Sequence, residues 1–535
     1  MHYSTVISRK TNFHKLERRG LNRVAMFLVA AIGSLCSLGL AAADEKPRAP
    51  SRPNIVFILA DDLGYGELGC YGQTKIRTPN IDRLASEGMR FTQHYSGAPV
   101  CAPARCVLMT GKHLGHAQVR GNRQAKQSFP QYDEGQHPIA ADTVTFPSLL
   151  RNAGYATAAM GKWGLGPVGS TGDPNRHGFD LFYGYNSQSV AHSYYPRYLW
   201  RNEKQVEINP MPIAGHQKQP TGDVKMETYL GKTYAPDAML AEALTFLDTQ
   251  IARKPEAAGG AKPFFLYLPF VEPHLAMHPP RDRVEAYPAE WDQDVYRGET
   301  GYLPHPRPRA AYAAMISNLD RCVGELLKKL DAAGLREETL IVFTSDNGAT
   351  LAHAKVKSPF HVGGVDTDFF RSTADLRGYK GSVYEGGIRV PMIVSRPGMI
   401  KPGSVNDSPS YFADWFPTIC DAVGLAKPAG LDGESLLPTI TTGTPLKRTK
   451  PMVWVFPESG GQVAVRIGDF KVVRQGLRTK EPGAWEVYDL SQDRSESKDL
   501  AAAKTEIVAQ AIAILKHEVD PNEIFPLVIP GVNDR

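Results

Sequence analysis

The residues best suited to chemistry in this 535-residue chain are a few carboxylates, one cysteine and a small set of basic side chains. Asp61-Asp62 and Asp346-Asn347 each follow directly on an apolar run. Three carboxylates and an amide carbonyl, with no thiolate among them, form a hard donor set of the kind that binds Ca²⁺ or Mg²⁺. Either pair alone reads equally well as a turn signal. Two such pairs, each closing an apolar run, favour a cation. Cys101 opens the segment Cys101-Ala102-Pro103-Ala104-Arg105. Proline is tolerated in the first turn of a helix, and residues 106–110 can continue one. Cys101 then sits at a helix N-terminus, where partial positive charge favours an anionic nucleophile, with Arg105 one turn along to steady it. The competing readings are a structural cysteine, a disulfide to Cys70 or Cys106, and a thiol hydrolase, for which no His-Asn partner pair is evident.

These groups meet only if the elements carrying them end side by side. Apolar runs at residues 55–60, 155–160, 264–270, 340–344 and 392–395 read as buried strands. They stop at or just before Asp61-Asp62, Gly161-Lys162-Trp163, Glu272-Pro273-His274, Asp346-Asn347-Gly348 and Arg396-Pro397-Gly398. Helical stretches at 80–88, 146–153, 236–252 and 310–333 lie between them. This alternation predicts an α/β fold: a large, mostly parallel sheet sandwiched by helices. Ligands bind beyond the carboxyl ends of such strands. After about residue 430 the pattern changes to short runs at 453–456, 462–467, 470–474 and 484–490, then a helix at 500–519. That predicts a smaller C-terminal antiparallel α+β domain. Residues 196–232 and 280–309, rich in Pro, Gly and charge, read as long loops that shape a site.

Composition bounds the class. Charged residues make up 22% and hydrophobic residues 42%, which excludes a disordered chain or a multi-span membrane protein. The formal net charge of +5 is concentrated at the N-terminus: residues 1–43 hold six Lys/Arg and one acid, and the rest is balanced. The charge is therefore no argument for nucleic acid. Residues 24–40 are apolar, follow a basic stretch and precede Ala41-Ala42-Ala43, the pattern of a signal peptide with its cleavage site. The expected organisation is a signal peptide at 1–43, a linker at 44–53, a catalytic domain at 54–430 and the small domain at 431–535. The mature chain is expected to be exported, periplasmic or extracellular, with no stable membrane insertion. It keeps five of the six cysteines, an odd number for an oxidising compartment.

Five motifs appear in order: PNIVFILADDLGYGELGCYG, CAPARCVLMTGKH, GKWGLG, FTSDNG and KGSVYEGGIRVP, with RIGDFKVV and WEVYDLSQDRSE near the end. Together they resemble the formylglycine-dependent sulfatases of the arylsulfatase type, in the alkaline-phosphatase superfamily, from residue 53 to about 501. The resemblance implies that a maturation enzyme converts Cys101 to Cα-formylglycine. One hydroxyl of the hydrated aldehyde attacks sulfur, and the second expels sulfate from the ester so formed. It implies that Asp61, Asp62, Asp346 and Asn347, with the modified Cys101, bind a divalent cation, Ca²⁺ before Mg²⁺. Arg105 holds the formylglycine, Lys162 and Lys380 clamp sulfate oxygens, and His274 protonates or hydrogen-bonds the leaving alcohol.

Two positions depart from the family pattern. Ala104 replaces a frequent Ser. Gly164 stands where many relatives carry a histidine that contacts the formylglycine. His192 is the first candidate to fill that gap, and His278 and His113 are weaker ones. Tyr194, Tyr195, Tyr198 and Trp200 suit either a sugar ring or ordinary packing, with packing preferred, and Glu385 reads as a structural carboxylate. The expected activity is hydrolysis of sulfate esters, of sulfated saccharides before simple aryl sulfates. A formylglycine phosphonate monoester or phosphodiester hydrolase and a non-catalytic sulfoglycan-binding protein are the alternatives.

Overall fold

Residues 54–60, NIVFILA, are apolar without alternation, so a strand of this composition needs cover on both faces. In the computed structural model, which describes residues 52–253, 262–350 and 362–534, it forms β1 (Asn54–Ala60), buried throughout. The remaining strands are β2 (Met89–Phe91), β3 (His94–Tyr95), β4 (Ala156–Lys162), β5 (Leu181–Tyr185), β6 (Tyr198–Arg201), β7 (Lys204–Glu207), β8 (Phe264–Pro269), β9 (Thr339–Ser345), β10 (Met392–Ser395), β11 (Ser404–Asn406), β12 (Ser410–Tyr411), β13 (Met452–Phe456), β14 (Gln462–Ile467), β15 (Phe470–Arg474) and β16 (Trp485–Asp489). The large sheet has the order β11-β2-β10-β9-β1-β8-β4-β5-β6-β7.

Alternate residues of β1 serve two cores. Ile55, Phe57 and Leu59 pack with the helices Cys101–Thr110, Phe146–Asn152 and Trp415–Val423. Val56, Ile58 and Ala60 pack with Pro79–Ser86, Ala235–Ile251 and Pro308–Ala332. Each fully buried Val, Leu, Ile or Phe contributes about 1.5–3 kcal/mol, so the two layers hold the sheet rigidly from both sides.

β9, β1, β8 and β4 are adjacent and parallel, so their carboxyl ends open on one edge. β10 differs from the expectation: it runs antiparallel to β9. Its Arg396-Pro397-Gly398 end therefore points to the opposite edge, and the chain reaches the functional edge before β10 begins, through Lys380. Residues 196–232 are also not all loop, because β6 and β7 extend the sheet as an antiparallel hairpin. The last helix starts at Thr505, not at 500, and residues 500–504 form a turn.

The second sheet has the order β13-β14-β15-β16 and is antiparallel throughout. One face, with Trp454, Ala464 and Val473, joins the core of the large sheet. The other, with Val453, Val465, Val472 and Val487, lies under the helix Thr505–Glu518. The described residues from Arg52 onward hold together as one unit. The signal peptide and most of the linker expected at 44–53 lie outside the described residues. Among the described residues no helix is long and apolar enough to cross a membrane.

Candidate active site

The end of β1 meets the end of β9. Asp61 donates its backbone N–H to the Glu272 carbonyl at 3.1 Å, and Asp346 donates to that of Ala60 at 3.0 Å. Asp62 adopts a left-handed backbone (φ 66°), a conformation that short polar side chains tolerate best. There its N–H donates to Asp346 Oδ1 at 3.1 Å, and its carboxylate accepts from Asn347 Nδ2 at 2.8 Å and Thr350 Oγ1 at 3.1 Å. Ser345 Oγ ties the two ends, accepting from the Leu63 N–H and donating to the Asn347 carbonyl, both at 2.9 Å.

Cys101 is the first residue of the helix Cys101–Thr110, as expected. Asn122, which sequence reasoning missed, accepts the Ala102 N–H at 3.0 Å and so occupies one of the free donors of that first turn. The Cys101 thiol donates to Asp61 Oδ1 at 3.4 Å. Burial and then the Asp61 carboxylate push this thiol upward, against the helix-end effect expected from sequence. Arg105, 1% exposed, donates Nε and Nη2 to Asp346 Oδ2 at 3.2 and 2.8 Å and Nη1 to the Lys162 carbonyl. Its Nη2 also lies 3.4 Å from Asp61 Oδ2. All five cysteines from Cys70 to Cys420 are free thiols, so the pairing left open by the sequence does not occur.

Lys162, the last residue of β4, places Nζ 2.5 Å from Asp61 Oδ2. Lys380 places Nζ 2.7 Å from Asp62. Its own N–H donates to the Ala349 carbonyl, and that of Gly381 donates to Pro99, which pins this loop beside the Cys101 segment. Burial alone would raise the Asp61 carboxyl, but Lys162, His274, Arg105 and Lys380 together hold it well below the usual range. His274 Nε2 lies 3.6 Å from Asp62 Oδ2, and its Nδ1 lies 2.7 Å from the Leu275 carbonyl, to which it can only donate. Burial, then Lys380, pushes this imidazole down to about 4. Tyr194 donates its hydroxyl to the Val271 and His274 carbonyls at 2.8 and 2.6 Å, which holds the His274 turn. That role was not legible in the sequence.

The donor chemistry fits a divalent cation. Ligand atoms of Asp61, Asp62, Cys101 and His274 lie within 4.8 Å of one another. Asn347 Oδ1 is buried without a hydrogen-bond partner among the described residues. Three buried carboxylates face three basic side chains, so the cluster is close to neutral. A dication and a singly charged anionic ester entering together add one net positive charge, which favours an anionic nucleophile.

His192 stacks on His274 with ring centroids 5.0 Å apart, and its Nδ1 lies 2.9 Å from His216 Nε2. Tyr302 packs edge-on to His192 at 5.2 Å. His216 and Tyr302 come from the two segments expected to shape the site. At Gly164 (φ 84°) an added Cβ would lie 2.6 Å from Gln188 Nε2. The space beside the backbone at Gly164 is thus filled by a buried amide whose Nε2 has no partner among the described residues. Gln188 is a second residue the sequence reading missed, since nothing in its neighbourhood marks it. His278 packs on Tyr229 and His305, and His113 joins a separate cluster; neither belongs to the Asp61, Asp62, Cys101 and His274 group. Tyr194 and Tyr195 are core residues, and Trp200 donates Nε1 to Glu134, so packing accounts for this aromatic stretch. Glu385 is structural as expected: it pairs with Lys471 at 3.0 Å and Arg389 at 3.1 Å.

Residues 53–425 match the sulfatase family, and residues 379–521 match the N-sulphoglucosamine sulphohydrolase C-terminal family. The chain is 30% identical to rat N-acetylgalactosamine-6-sulfatase over 92% of its own length and 84% of the relative's. It is 30% identical to human steryl-sulfatase over 74% and 71% of the two chains. Among solved structures, Ps i-CgsB in complex with k-i-k-neocarrahexaose superposes with a TM-score of 0.68 at 26% identity, covering 88% of this chain and 94% of that one. With three carboxylates, two lysines and an arginine gathered around a helix-starting cysteine, these matches show that the chain belongs to the sulfatase family and is a sulfuric ester hydrolase of the alkaline-phosphatase superfamily.

Proposed function

We propose that the chain is an exported sulfatase acting on a sulfated saccharide. In this reading Cys101 works in its formylglycine form, and a divalent cation, Ca²⁺ before Mg²⁺, is held by Asp61, Asp62, Asp346, Asn347 and the modified residue 101. The observation that carries it is the position of Cys101 at a helix N-terminus, 3.4 Å from Asp61. The hydrated aldehyde supplies an oxygen nucleophile whose second hydroxyl allows release. The cation supplies positive charge at a sulfate oxygen and favours the ionised hydroxyl.

The remaining work falls to the chain's own residues. Lys162 and Lys380 offer ammonium groups that compensate charge on the sulfate oxygens, with no reorganisation beyond their own side chains. Arg105 fixes Asp346 and Asp61 relative to the first turn of the helix. His274, its Nδ1–H committed to Leu275, presents Nε2 as the atom that holds a proton for the leaving oxygen. His192 supports the His274 ring. Cys101, Pro103 and Arg105 present the pattern read by the maturation enzyme.

The saccharide preference rests on the greater span shared with N-acetylgalactosamine-6-sulfatase than with steryl-sulfatase, and on the oligosaccharide held by Ps i-CgsB. The test is sulfate release, with protein from a host that makes formylglycine, from a panel of sulfated mono- and oligosaccharides. Steroid sulfate, p-nitrophenyl sulfate and phosphonate or phosphate esters run beside it. Highest kcat/KM on one sulfated sugar supports the reading. Faster turnover of phosphonate esters, or binding of sulfated glycan without sulfate release, would overturn it.

A further inference from the structure

A second cluster of ligand-type side chains lies just beyond the helix that carries Cys101. That helix ends at Gly111 in a left-handed turn, and His113 and His116 follow. Their rings stack with centroids 4.2 Å apart. Asp432 Oδ2 lies on one edge of the stack, 2.9 Å from His116 Nδ1 and 3.8 Å from His113 Nδ1. Glu518, the last residue of the C-terminal helix, lies on the other edge, with Oε2 2.9 Å from His113 Nε2 and 3.8 Å from His116 Nε2. Four donors from three distant parts of the chain thus converge. Ligand atoms of His113, His116 and Asp432 lie within 4.8 Å of one another.

The hydrogen bonds select the atoms. Glu518 can only accept, so it favours the His113 form with hydrogen on Nε2 and a lone pair on Nδ1, on the Asp432 edge. Asp432 likewise can only accept, so His116 Nδ1 carries the hydrogen of their 2.9 Å bond until an ion displaces it. A carboxylate holding the far N–H of a ligating histidine is the usual outer partner of a metal site. His113 Nδ1 accepts a long bond of 3.1 Å from the Gly115 backbone N–H, and Asp432 Oδ2 accepts the backbone N–H of His113 at 2.8 Å. Donor atoms about 2.0–2.1 Å from a tetrahedral ion stand roughly 3.3 Å apart, and the observed 2.9 and 3.8 Å bracket that spacing. The residues open on a cavity of about 500 Å³. Two lysines line it, but Lys112 donates to the Gly430 carbonyl and Lys450 to that of Leu431 at 2.5 Å.

We propose that His113, His116 and Asp432 bind a zinc-class divalent cation, with Glu518 orienting the His113 imidazole. Two imidazoles and a carboxylate suit Zn²⁺ and its neighbours, unlike the hard oxygen set at Asp61 and Asp62. The ion takes the place of the proton now shared between His116 and Asp432, so binding releases a proton. It staples the end of the Cys101 helix to the loop at Asp432, and through Glu518 to the C-terminal helix. The inference is independent of the substrate assignment.

The test uses the full chain, stripped by chelator and reloaded with Ca²⁺, then titrated with Zn²⁺ and, separately, Co²⁺. The expected result is one equivalent of Zn²⁺ bound beyond the Ca²⁺, a rise of several degrees in Tm, and a visible Co²⁺ absorption band of tetrahedral type. His116→Gln and Asp432→Asn, two variants in case one fails to fold, should each lose that equivalent, the Tm rise and the band. No Zn²⁺ bound beyond the Ca²⁺, or unchanged Zn²⁺ uptake in both variants, would overturn the proposal.

Discussion

Arg105 reaches from the first turns of the Cys101–Thr110 helix to the end of β9, where Nε and Nη2 both bond the same oxygen of Asp346, at 3.2 and 2.8 Å. A planar guanidinium makes this forked contact and an ammonium cannot. Arg105→Ala leaves the buried Asp346 carboxylate without its ion-pair partner and is expected to cost about 3–5 kcal/mol. Arg105→Lys should cost less but still disorder the site. Urea unfolding of both variants measures this; stability equal to wild type in Arg105→Ala would show that the pair holds nothing.

Lys162 and Lys380 approach the carboxylate cluster from β4 and from the loop before β10. If they clamp the sulfate oxygens, Lys162→Ala and Lys380→Ala should each lower kcat by about 10²–10³, with the Cys101 peptide still matured. A rise in KM alone would assign them to ground-state binding.

The His192 ring stacks on that of His274. His192→Ala is expected to lower kcat at least about tenfold with little change in divalent-cation affinity, because His274 loses the surface that orients it. Normal turnover with intact formylglycine would make His192 a packing residue.

His94 is fully buried, with Nδ1 2.9 Å from Ser410 Oγ. The facing charged group is Arg448, itself paired with Asp414. Burial, then Arg448, pushes His94 down to about 3. Since the unfolded chain binds its proton near 6.5 and the folded chain does not, stability is full above pH 6.5 and falls as pH drops toward 3. At pH 5 the loss from this residue is about 2 kcal/mol. Other buried histidines, among them His278, act in the same direction. Tm measured from pH 7.5 to 5 should fall more gently in His94→Asn than in wild type; parallel slopes would contradict the assignment.

The central sheet and the metal-type residues were legible because each buried strand is a continuous apolar run that stops at its functional residue, as at Ala60 and Asp61. The direction of β10 was not legible, because three apolar residues and a serine look the same read either way. Lys380 was recognised only from its motif, and the reason it reaches the site is that antiparallel turn. Asn122 and Gln188, and the hold of Tyr194 on the His274 turn, were missed for another reason: each acts through contacts with residues distant along the chain that leave no local pattern. The pairing of His113 and His116 with Asp432 and Glu518 spans some 400 residues and likewise has no sequence signal.

The proposed chemistry turns on residue 101. The most direct measurement is the mass of the peptide containing Cys101 from protein made in its native host. Conversion to the aldehyde exchanges H₂S for O, so a peptide about 18 Da lighter than the thiol form is expected, in the protein fraction that releases sulfate. An unmodified thiol in active protein would contradict it, because the nucleophile would then be sulfur and not a hydrated aldehyde.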